Sequence, residues 1–356
     1  RAMGAWRKKG TLGPLAEQLM AGMQANGITR HYAEQIRNQI QGFGEYGFPE
    51  SHAASFARLV YVSAWMKHHY PAAFCTALLN SQPMGFYSPR SLLDDARRHG
   101  VEVRPIDVQC SHWDNTLEPS PTGSKAIRLG FRQIKGFSRP ASEQIETTRR
   151  DHGRFTSVAD LQRRSGIDRG MLSKLARADA LQQLSSNRRQ ALWSVRGLYD
   201  LPLFRGLDRP DGIELSTPSA NDCMHEDYRS LGLSLRHNPV GMIRGQLRKE
   251  GVITADEVAA LNGGRTVKVA GMVAHRQRPG TAKGVVFMTL EDETGLLNVV
   301  IKPDTFERQR RVVLQHNLLK ITARVQRDGQ SVSLLAFHFE PLQDGNLENL
   351  PSRDFR

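Results

Sequence analysis

The sequence predicts a multidomain α plus β protein, with a mostly helical first part and a small five-stranded barrel near its end. Three observations predict this fold class. Apolar residues recur at helical spacing within residues 1–100, two glycine-containing turns each precede a helix within residues 125–196, and the apolar period becomes two after residue 265. With 356 residues, the chain is long enough for two or three domains with cores of their own.

Residues 1–100 predict a layer of helices. The candidate N-cap Ser51 precedes an apolar stripe at helical spacing. That stripe consists of Phe56, Leu59, Val60, Ser63, Ala64 and Lys67. Pro71 ends this helix and can begin the next one, because proline is tolerated at the first helical position. Residues 86–100 predict a further helix.

Positive charge is concentrated in the middle of the chain. Residues 124–196 carry 16 Lys+Arg against 6 Asp+Glu, whereas the net charge of the whole chain is +13. A basic segment of this kind is typical of a protein that binds a polyphosphate such as nucleic acid. The alternative is a solvated basic face of a helix.

The two turns of the basic segment have the pattern of helix-hairpin-helix units. Residues 134–137 (IKGF) precede a helix from about residue 141 to 150, and residues 166–170 (GIDRG) precede one from 171 to 178. Glycine lets backbone N–H groups approach a phosphate at the positive end of the second helix. An ordinary tight turn is the alternative, but two such turns in a basic segment favour a tandem DNA-binding domain over residues 101–196. Its expected DNA contacts are Lys135, Gly136, Ser138, Arg139, Arg169, Gly170 and Lys174.

Residues 265–342 predict an OB-fold β-barrel. Strand patterns at residues 266–273, 285–291, 296–302, 318–325 and 331–339, with a helix at 305–314 after the third strand, follow the OB order. Such barrels often bind single strands. In the loop 276–283, Arg276, Arg278 and Lys283 are the candidate contacts with a nucleic-acid backbone. His275 or Phe287 could offer a ring to a base, although core packing is the favoured interpretation for Phe287.

Other classes of protein are disfavoured. Three widely spaced cysteines fit a reducing cytoplasm, no apolar run approaches a membrane span, and no leader follows Arg1. We therefore expect a cytoplasmic protein without a membrane partner. The histidines and cysteines form no convincing metal constellation. The acidic pairs at 94–95 and 291–293 have the pattern of a solvated helix face and a turn, so they are assigned to no site.

Long segments of the chain resemble one enzyme family. Residues 42–56 (GFGEYGFPESHAASF), continuing to Trp65, resemble the fingers region of bacterial C-family DNA polymerases, the polymerase III alpha-subunit family. Residues 80–87 (NSQPMGFY), 278–283 (RPGTAK), 289–295 (TLEDETG) and 352–355 (SRDF) resemble its error-prone, damage-inducible branch. Glu50, where replicative relatives usually have lysine, and the lack of room for a further domain after the barrel favour that branch.

The resemblance implies a DNA-directed DNA polymerase that extends primers past damaged bases. Its Mg²⁺ would be bound by palm carboxylates upstream of Arg1, so that no catalytic residue and no metal ligand lies in this chain. Residues 1–100 would then be the C-terminal part of the fingers. The implied partners are the template-primer duplex, the single-stranded template and an incoming dNTP. The candidate nucleotide-binding residues are Arg1, Lys8, Lys9 and His52.

Two local features depart from the family pattern. Ser138 stands where a second glycine is common, and a positive φ there would weaken the grip of the first hairpin. In the linker 197–264, residues 200–204 (DLPLF) resemble a sliding-clamp peptide with Leu201, Leu203 and Phe204 as its contacts, but Asp200 replaces the usual glutamine. A loop edge packed on its own domain is the alternative. Accessory mutagenesis proteins are further implied partners, and residues 343–356 are assigned to a tail.

A non-catalytic module that binds single-stranded DNA or RNA is the alternative to a polymerase part. The fingers-like segment 42–65 favours the polymerase, because a free-standing binder has no use for it. We expect the chain alone to bind DNA without extending a primer, since the palm would lie outside it. A primer-extension assay with Mg²⁺ and all four dNTPs measures this, and incorporation of nucleotides would contradict it.

Overall fold

The computed structural model of the chain describes residues 12–46, 50–84, 87–121, 123–198, 213–280, 282–329, 331–342 and 353–355. Two compact units make up the structure. The first consists of Arg1–His69 and Pro279–Lys283, and the second of Tyr70–Arg278 and Gly284–Arg356. Among the described residues, no helix has both the length and the apolar character that crossing a bilayer requires.

The first unit contains three helices, α1 (Leu12–Ala25), α2 (Arg30–Tyr46) and α3 (Glu50–His69). The helix predicted after Ser51 is present, but the assignment of Ser51 as its N-cap is wrong. Since α3 already begins at Glu50, Ser51 is its second residue. The apolar stripe is also largely exposed, with Leu59 60% and Val60 64% accessible.

The second unit begins with α4 (Pro71–Asn80) and α5 (Pro89–Arg98). Pro71 is the first residue of α4, as expected, and the Ser88 hydroxyl caps α5 by accepting the Ser91 N–H at 3.1 Å. Both helices share one hydrophobic core with the hairpins that follow, through side chains such as Leu79 and Leu93. In the structure, these two helices therefore belong with the hairpins.

The hairpin region follows a small sheet with the strand order β1-β3-β2, formed by β1 (Val103–Arg104), β2 (Thr116–Pro119) and β3 (Lys125–Arg128). Its helices are α6 (Arg139–His152), α7 (Val158–Ser165), α8 (Arg169–Arg177) and α9 (Arg188–Gly197). The two helices predicted to follow glycine turns are confirmed as α6 and α8.

Short elements connect the hairpins to the barrel. They are α10 (Ala220–Ser230), α11 (Pro239–Met242), α12 (Arg244–Lys249), β4 (Val252–Ile253) and α13 (Ala255–Ala259). A small core joins α10 to the barrel, with Met224 and Tyr228 packed in one cluster with Ala270 and Met272. The hairpins and the barrel are therefore connected by packed side chains as well as by the chain.

The barrel has the predicted OB order. It consists of β5 (Thr266–Gln277), β6 (Val286–Glu291), β7 (Leu296–Ile301), α14 (Pro303–Gln315), β8 (Leu318–Asp328) and β9 (Ser331–Pro341). β5 pairs with both β6 and β8, and β7 pairs with β9 in parallel, which closes the barrel. A tenth strand, β10 (Arg353–Phe355), pairs with β5 in parallel. The sequence did not predict this last strand.

Candidate nucleic-acid interface

Buried aromatic and aliphatic side chains anchor the first hairpin turn. Ile134 and Phe137 are buried, and the Phe137 ring lies 5.6 Å from the ring of Phe131, centroid to centroid. Between these anchors, Lys135 and Gly136 are exposed. Gly136 has a φ of +67°, which glycine adopts far more readily than other residues. The apolar-glycine-apolar pattern therefore holds the turn against the core while its backbone faces outward.

The backbone of this turn presents unpaired donors. No acceptor among the described residues takes the N–H groups of Gly136, Ser138 or Arg139. Ser138 has an extended φ of −97°, and its hydroxyl accepts the Ala141 N–H at 3.3 Å. The expectation that serine weakens this hairpin through a positive φ is therefore wrong. The donors lie at the positive end of the 14-residue helix α6, where an anion is stabilised.

The second hairpin differs in its cap. Gly166 has a φ of +68°, and the Asp168 carboxylate caps α8 by accepting the Met171 N–H at 3.0 Å. A Cβ atom on Gly170 would lie only 2.8 Å from Asp168 Oδ1, so this carboxylate covers the beginning of the helix. Arg169 Nη2 donates to the Arg196 carbonyl at 2.5 Å. Negative charge at this position opposes the binding of a phosphate.

The lysines around Gly136 connect the first hairpin to its neighbours. Lys174 of α8 donates from Nζ to the Gly136 carbonyl. Lys135 donates from Nζ to the Tyr228 carbonyl at 2.8 Å, and its backbone N–H donates to the Ser230 carbonyl, also at 2.8 Å. Both ammonium groups therefore lie beside the turn, one on the second hairpin and one against the end of α10. Partial desolvation lowers the pKa of Lys135.

Most of the basic segment has a structural use that the sequence did not reveal. Arg149 donates to the carbonyls of Val108 and Ser111 at 2.8 and 2.9 Å, and buried Arg188 pairs with Asp227. Arg139 is exposed but pairs with a neighbouring glutamate. Within this segment, three side chains make no ion pair or hydrogen bond with a described residue: Lys125, Arg154 and Arg196. Total charge therefore overstates the cations available to a ligand.

One outer face of the barrel carries an exposed aromatic ring. Gln277, Phe287 and Val300 lie opposite one another on β5, β6 and β7. Phe287 is 40% exposed, so the favoured interpretation of core packing is wrong for this ring. Two residues before Gln277, His275 lies opposite Thr289 of β6. It is half-buried and hydrogen-bonded to Thr289 at 3.2 Å. Burial lowers the pKa of the His275 imidazole.

The three cations expected in the barrel loop have different environments. Arg276 is only 4% exposed and donates to the His316 carbonyl at 2.5 Å, because strand alternation turns it away from the face that carries Phe287. A phosphate cannot reach it in this structure, so Arg276 does not belong to the candidate interface. Arg278 is half-exposed and lies 3.2 Å from Glu307. Lys283 is exposed.

Buried charges join the hairpins to the barrel. Arg90 of α5 is 6% exposed and lies 3.4 Å from Glu291 and 3.5 Å from Asp94. Its guanidinium also lies 3.2 Å from Met272 Sδ and 5.6 Å from the centroid of the Tyr228 ring. Burial raises the pKa of Glu291 to about 8, although Arg90 opposes that shift. This Arg90 cluster and a polar cavity of about 490 Å³ lie at the joint.

The Arg90 cluster brings together one carboxyl group from each of two acidic segments, 94–95 and 291–293, that the sequence assigns to no site. Asp94 comes from α5 and Glu291 from the end of β6, and the neighbouring Asp292 and Glu293 pair with Arg244. Arg90 lies beside the first two of these carboxyl groups and Arg244 beside the other two, and no group of three or more His, Cys, Asp or Glu side chains in the described part of the chain could hold a metal ion. Their arrangement indicates a structural joint.

Several expected site residues lie outside the described part of the chain. Arg1, Lys8 and Lys9 precede the first described residue, and Leu201, Leu203 and Phe204 fall within 199–212. For His52, only the backbone is described, within α3.

Comparisons with known proteins support both domain types. A family model described as a helix-hairpin-helix motif matches residues 100–191, and one described as an OB-fold nucleic acid binding domain matches residues 267–342. Among solved structures, asparaginyl-tRNA synthetase from Pyrococcus horikoshii is 21% identical over 26% of this chain and 23% of that chain. Its TM-score is only 0.22.

The curated relatives match over the whole chain. The error-prone DNA polymerase of Dechloromonas aromatica (strain RCB) is 49% identical over 100% of this chain and 34% of its own length. That of Alkalilimnicola ehrlichii (strain ATCC BAA-1101 / DSM 17681 / MLHE-1) is 48% identical over 100% of this chain and 35% of its own length. The chain thus spans about a third of these relatives. Over its whole length, the chain is homologous to the C-terminal portion of bacterial error-prone DNA polymerases.

Proposed function

We propose that this chain is the DNA-holding part of an error-prone DNA polymerase. The first hairpin holds a backbone phosphate, and the outer face of the barrel holds a single-stranded segment of template. The observation that carries this proposal is the first hairpin turn, where three N–H groups lack acceptors at the start of α6. Such donors favour an anionic ligand.

The first hairpin suits a phosphate better than the second. Its cap is the neutral Ser138 hydroxyl. The Lys174 ammonium group donates to the Gly136 carbonyl, and Lys135 belongs to the turn itself. At the second hairpin, the Asp168 carboxylate already occupies the N-terminus of α8. Exposed Arg139 is a further proposed contact, and a phosphate would have to compete there with the Glu143 carboxylate. Contacts of this kind hold the DNA backbone without selecting a sequence.

The outer barrel face suits bases that are not paired. Phe287 offers a ring on which a base can stack, Gln277 lies opposite it on β5, and exposed Asn298 belongs to the neighbouring strand β7. Stacking on an aromatic ring tolerates any base, as copying of an arbitrary template requires. Half-exposed Arg278 is a proposed contact with the nucleic-acid backbone. Lys283 is proposed as a second such contact, because it is charged and exposed.

The activity of the whole enzyme is part of the same proposal. It would be a DNA-directed DNA polymerase in damage-induced mutagenesis and translesion synthesis, because the relatives named above are error-prone DNA polymerases. Mg²⁺ would belong to palm carboxylates outside this chain. Arg1, Lys8, Lys9 and His52 are proposed contacts of the incoming dNTP. Binding of a sliding clamp through Leu201, Leu203 and Phe204, and of accessory mutagenesis proteins, is also proposed.

Fluorescence anisotropy with a labelled oligothymidylate tests the barrel face. We expect Phe287→Ala to weaken binding about tenfold, since stacking of one base on an aromatic ring contributes about 1–3 kcal/mol. Leu314→Ala is the control, because Leu314 is 44% exposed on α14 of the same barrel. It should bind like the unmodified chain.

The same titration, repeated at several salt concentrations, tests the contribution of phosphate contacts. About six such contacts give a slope of log affinity against log salt near roughly −4 to −5. Unchanged binding by Phe287→Ala together with a nearly flat salt dependence would overturn the proposed function.

A further inference from the structure

The outer barrel face that carries Phe287 leads to the start of α14. Val300 lies opposite Phe287, and Lys302 follows it two residues later in an extended backbone, with φ −66° and ψ 151°. Alternate residues of an extended chain belong to the same face, and Lys302 is exposed. Since α14 begins at Pro303, this helix continues the face beyond β7.

Arg278 connects the same face to α14 from the end of β5. It follows Gln277, which lies opposite Phe287. Its guanidinium carbon lies 4.9 Å from the centroid of the Phe306 ring, and its Nη2 atom lies 3.2 Å from the Glu307 carboxylate. Arg278, a proposed backbone contact, therefore lies against the first half of α14.

The exposed side of α14 has an excess of positive charge. Residues 302–315 contain four Lys+Arg and two Asp+Glu, and one of these acids, Glu307, already lies beside Arg278. Three arginines of the helix are exposed and form no ion pair with a residue in the described part of the chain: Arg308, Arg310 and Arg311. Arg311 donates to the neutral amide oxygen of Gln315 at 3.0 Å, which leaves its charge unbalanced.

Other arginines of the barrel are held by the fold. Arg276 donates to the His316 carbonyl, and Arg327 donates to the Leu261 carbonyl at 3.2 Å. A solvated face is the usual interpretation of exposed charges on a helix. The arginines of α14 differ because they extend a face that already carries an exposed ring and two cations, which favours a ligand.

The barrel holds α14 in a fixed position. Phe306 and Val313 are buried in the barrel core. At Gln309, where the helix is kinked, the side-chain amide donates to the Phe337 carbonyl at 3.0 Å and accepts the Phe339 N–H at 2.9 Å. Contacts on a rigid element are positioned more precisely than contacts on a loop. The exposed arginines therefore have a defined position before a ligand binds.

We propose that a single strand held at Phe287 continues along α14, where Arg308 and Arg311 contact its phosphates. This proposal rests on the proposed function of the barrel face. Arg311 lies four residues after Glu307 and three after Arg308, a spacing that places side chains on one side of a helix. The ligand is a single-stranded nucleic acid, because cations that follow the backbone beside a ring for the bases hold a single strand without base preference.

Anisotropy with labelled oligothymidylates of two lengths tests this path. Site sizes of OB folds range from about 4 to about 16 nucleotides, so the shorter strand occupies the Phe287 face and the longer one reaches α14. We expect Arg308→Ala with Arg311→Ala to weaken binding of the longer strand on the order of twentyfold at about 0.1 M salt, and to leave binding of the shorter strand unchanged. For the longer strand, the slope of log affinity against log salt should become shallower by about 1.4, the value for two phosphates on a single strand.

A second double variant removes the same charge from another part of the barrel. Lys268 and Arg324 are exposed on the paired strands β5 and β8 and form no ion pair with a described residue. Lys268→Ala with Arg324→Ala should bind the longer strand like the unmodified chain, because about 0.1 M salt screens charges more than about 10 Å apart. Equal losses in both double variants would overturn the proposal, since the effect would then come from total charge.

A conservative variant separates a phosphate contact from a structural role. Lysine keeps a charge that binds phosphate, so Arg308→Lys with Arg311→Lys should bind both strands like the unmodified chain. Equal weakening of both strand lengths by the alanine pair would contradict the proposal, because the arginines would then support the barrel. A loss of binding to a labelled duplex, without a loss for the longer single strand, would also overturn it.

The outcome for Phe287→Ala separates this proposal from the one on which it rests. If Phe287→Ala weakens binding of both strands and the alanine pair on α14 weakens neither, the barrel face binds the strand and α14 has no part in it. If none of these variants weakens binding, the proposed function of the barrel face fails as well.

Discussion

Replacing Gly136 with alanine is expected to lower the affinity of the chain for DNA about tenfold to a hundredfold. A Cβ atom at this position would lie 3.3 Å from Lys174 Nζ, and φ is +67°, where alanine is strained. Relief of that strain moves the turn that carries the unpaired N–H groups. A hydrogen bond to a charged group contributes about 1.5–3 kcal/mol, so the loss of one accounts for the expected change.

The second hairpin offers a matched control for that experiment. Gly166 has nearly the same φ, +68°, but an added Cβ would meet no atom within 4 Å. Gly166→Ala should therefore destabilise the fold by a similar amount, on the order of 1–3 kcal/mol, with little change in DNA affinity. Thermal unfolding and anisotropy with a labelled duplex measure the two quantities. Equal losses of affinity in both variants would contradict the assignment of the phosphate to the first hairpin.

Replacing Glu291 with glutamine is expected to stabilise the chain at alkaline pH. Glu291 is 3% exposed, and the groups that face it are Arg90, Asp94 and Arg98 of α5 and Tyr228 of α10. Burial raises the pKa of Glu291 to about 8, so the folded state keeps the proton over a range in which the unfolded state has lost it.

The sign of the pH dependence follows from this proton. Between the unfolded pKa of about 4.3 and the folded pKa, the folded state binds more protons, so this group lowers the free energy of unfolding as pH rises, by about 1.4 kcal/mol per pH unit. The stability that the proton on Glu291 contributes is complete below about pH 4 and is lost by about pH 8. Glutamine stays neutral and lacks this dependence.

Chemical denaturation at pH 5 and pH 8.5 measures the difference between the two proteins. The Glu291→Gln variant should gain stability relative to the unmodified chain by on the order of 3 kcal/mol over this interval. Glu307→Gln is the control, since Glu307 is half-exposed on α14, and it should follow the unmodified chain. Parallel pH curves for Glu291→Gln and the unmodified chain would show that Glu291 is ionised in the folded state near neutral pH.

Predictions from local patterns were largely confirmed. The alternation of apolar residues predicted β5 to β9, and the turns at Gly136 and Gly166 predicted the helices that follow them. These features depend on neighbouring residues and on the φ that glycine permits, so the sequence nearly specifies them. Ser51 shows the limit, because a cap depends on where the helix begins, and residues outside a local window affect that position.

Predictions about what each side chain contacts were less successful. Charge alone did not distinguish exposed Lys135 from buried Arg276 or from Arg149, which binds backbone carbonyls. Phe287 was expected in the core, yet its position in β6 places it on the outer face. A side chain's partners belong to other elements of the fold, and one sequence does not reveal which elements meet.

The amino-acid sequence by itself determined the helical and barrel regions, the positions of both glycine turns and the resemblance to error-prone polymerases. Only the tertiary structure decided which hairpin has a carboxylate at the start of its helix, which cations already have a partner, and how Asp94 and Glu291 come to lie beside one arginine. It also decided that the last strand joins the barrel at residues 275–277. Periodicity and backbone conformation are local properties, whereas burial, ion pairing and strand register arise when distant segments pack together.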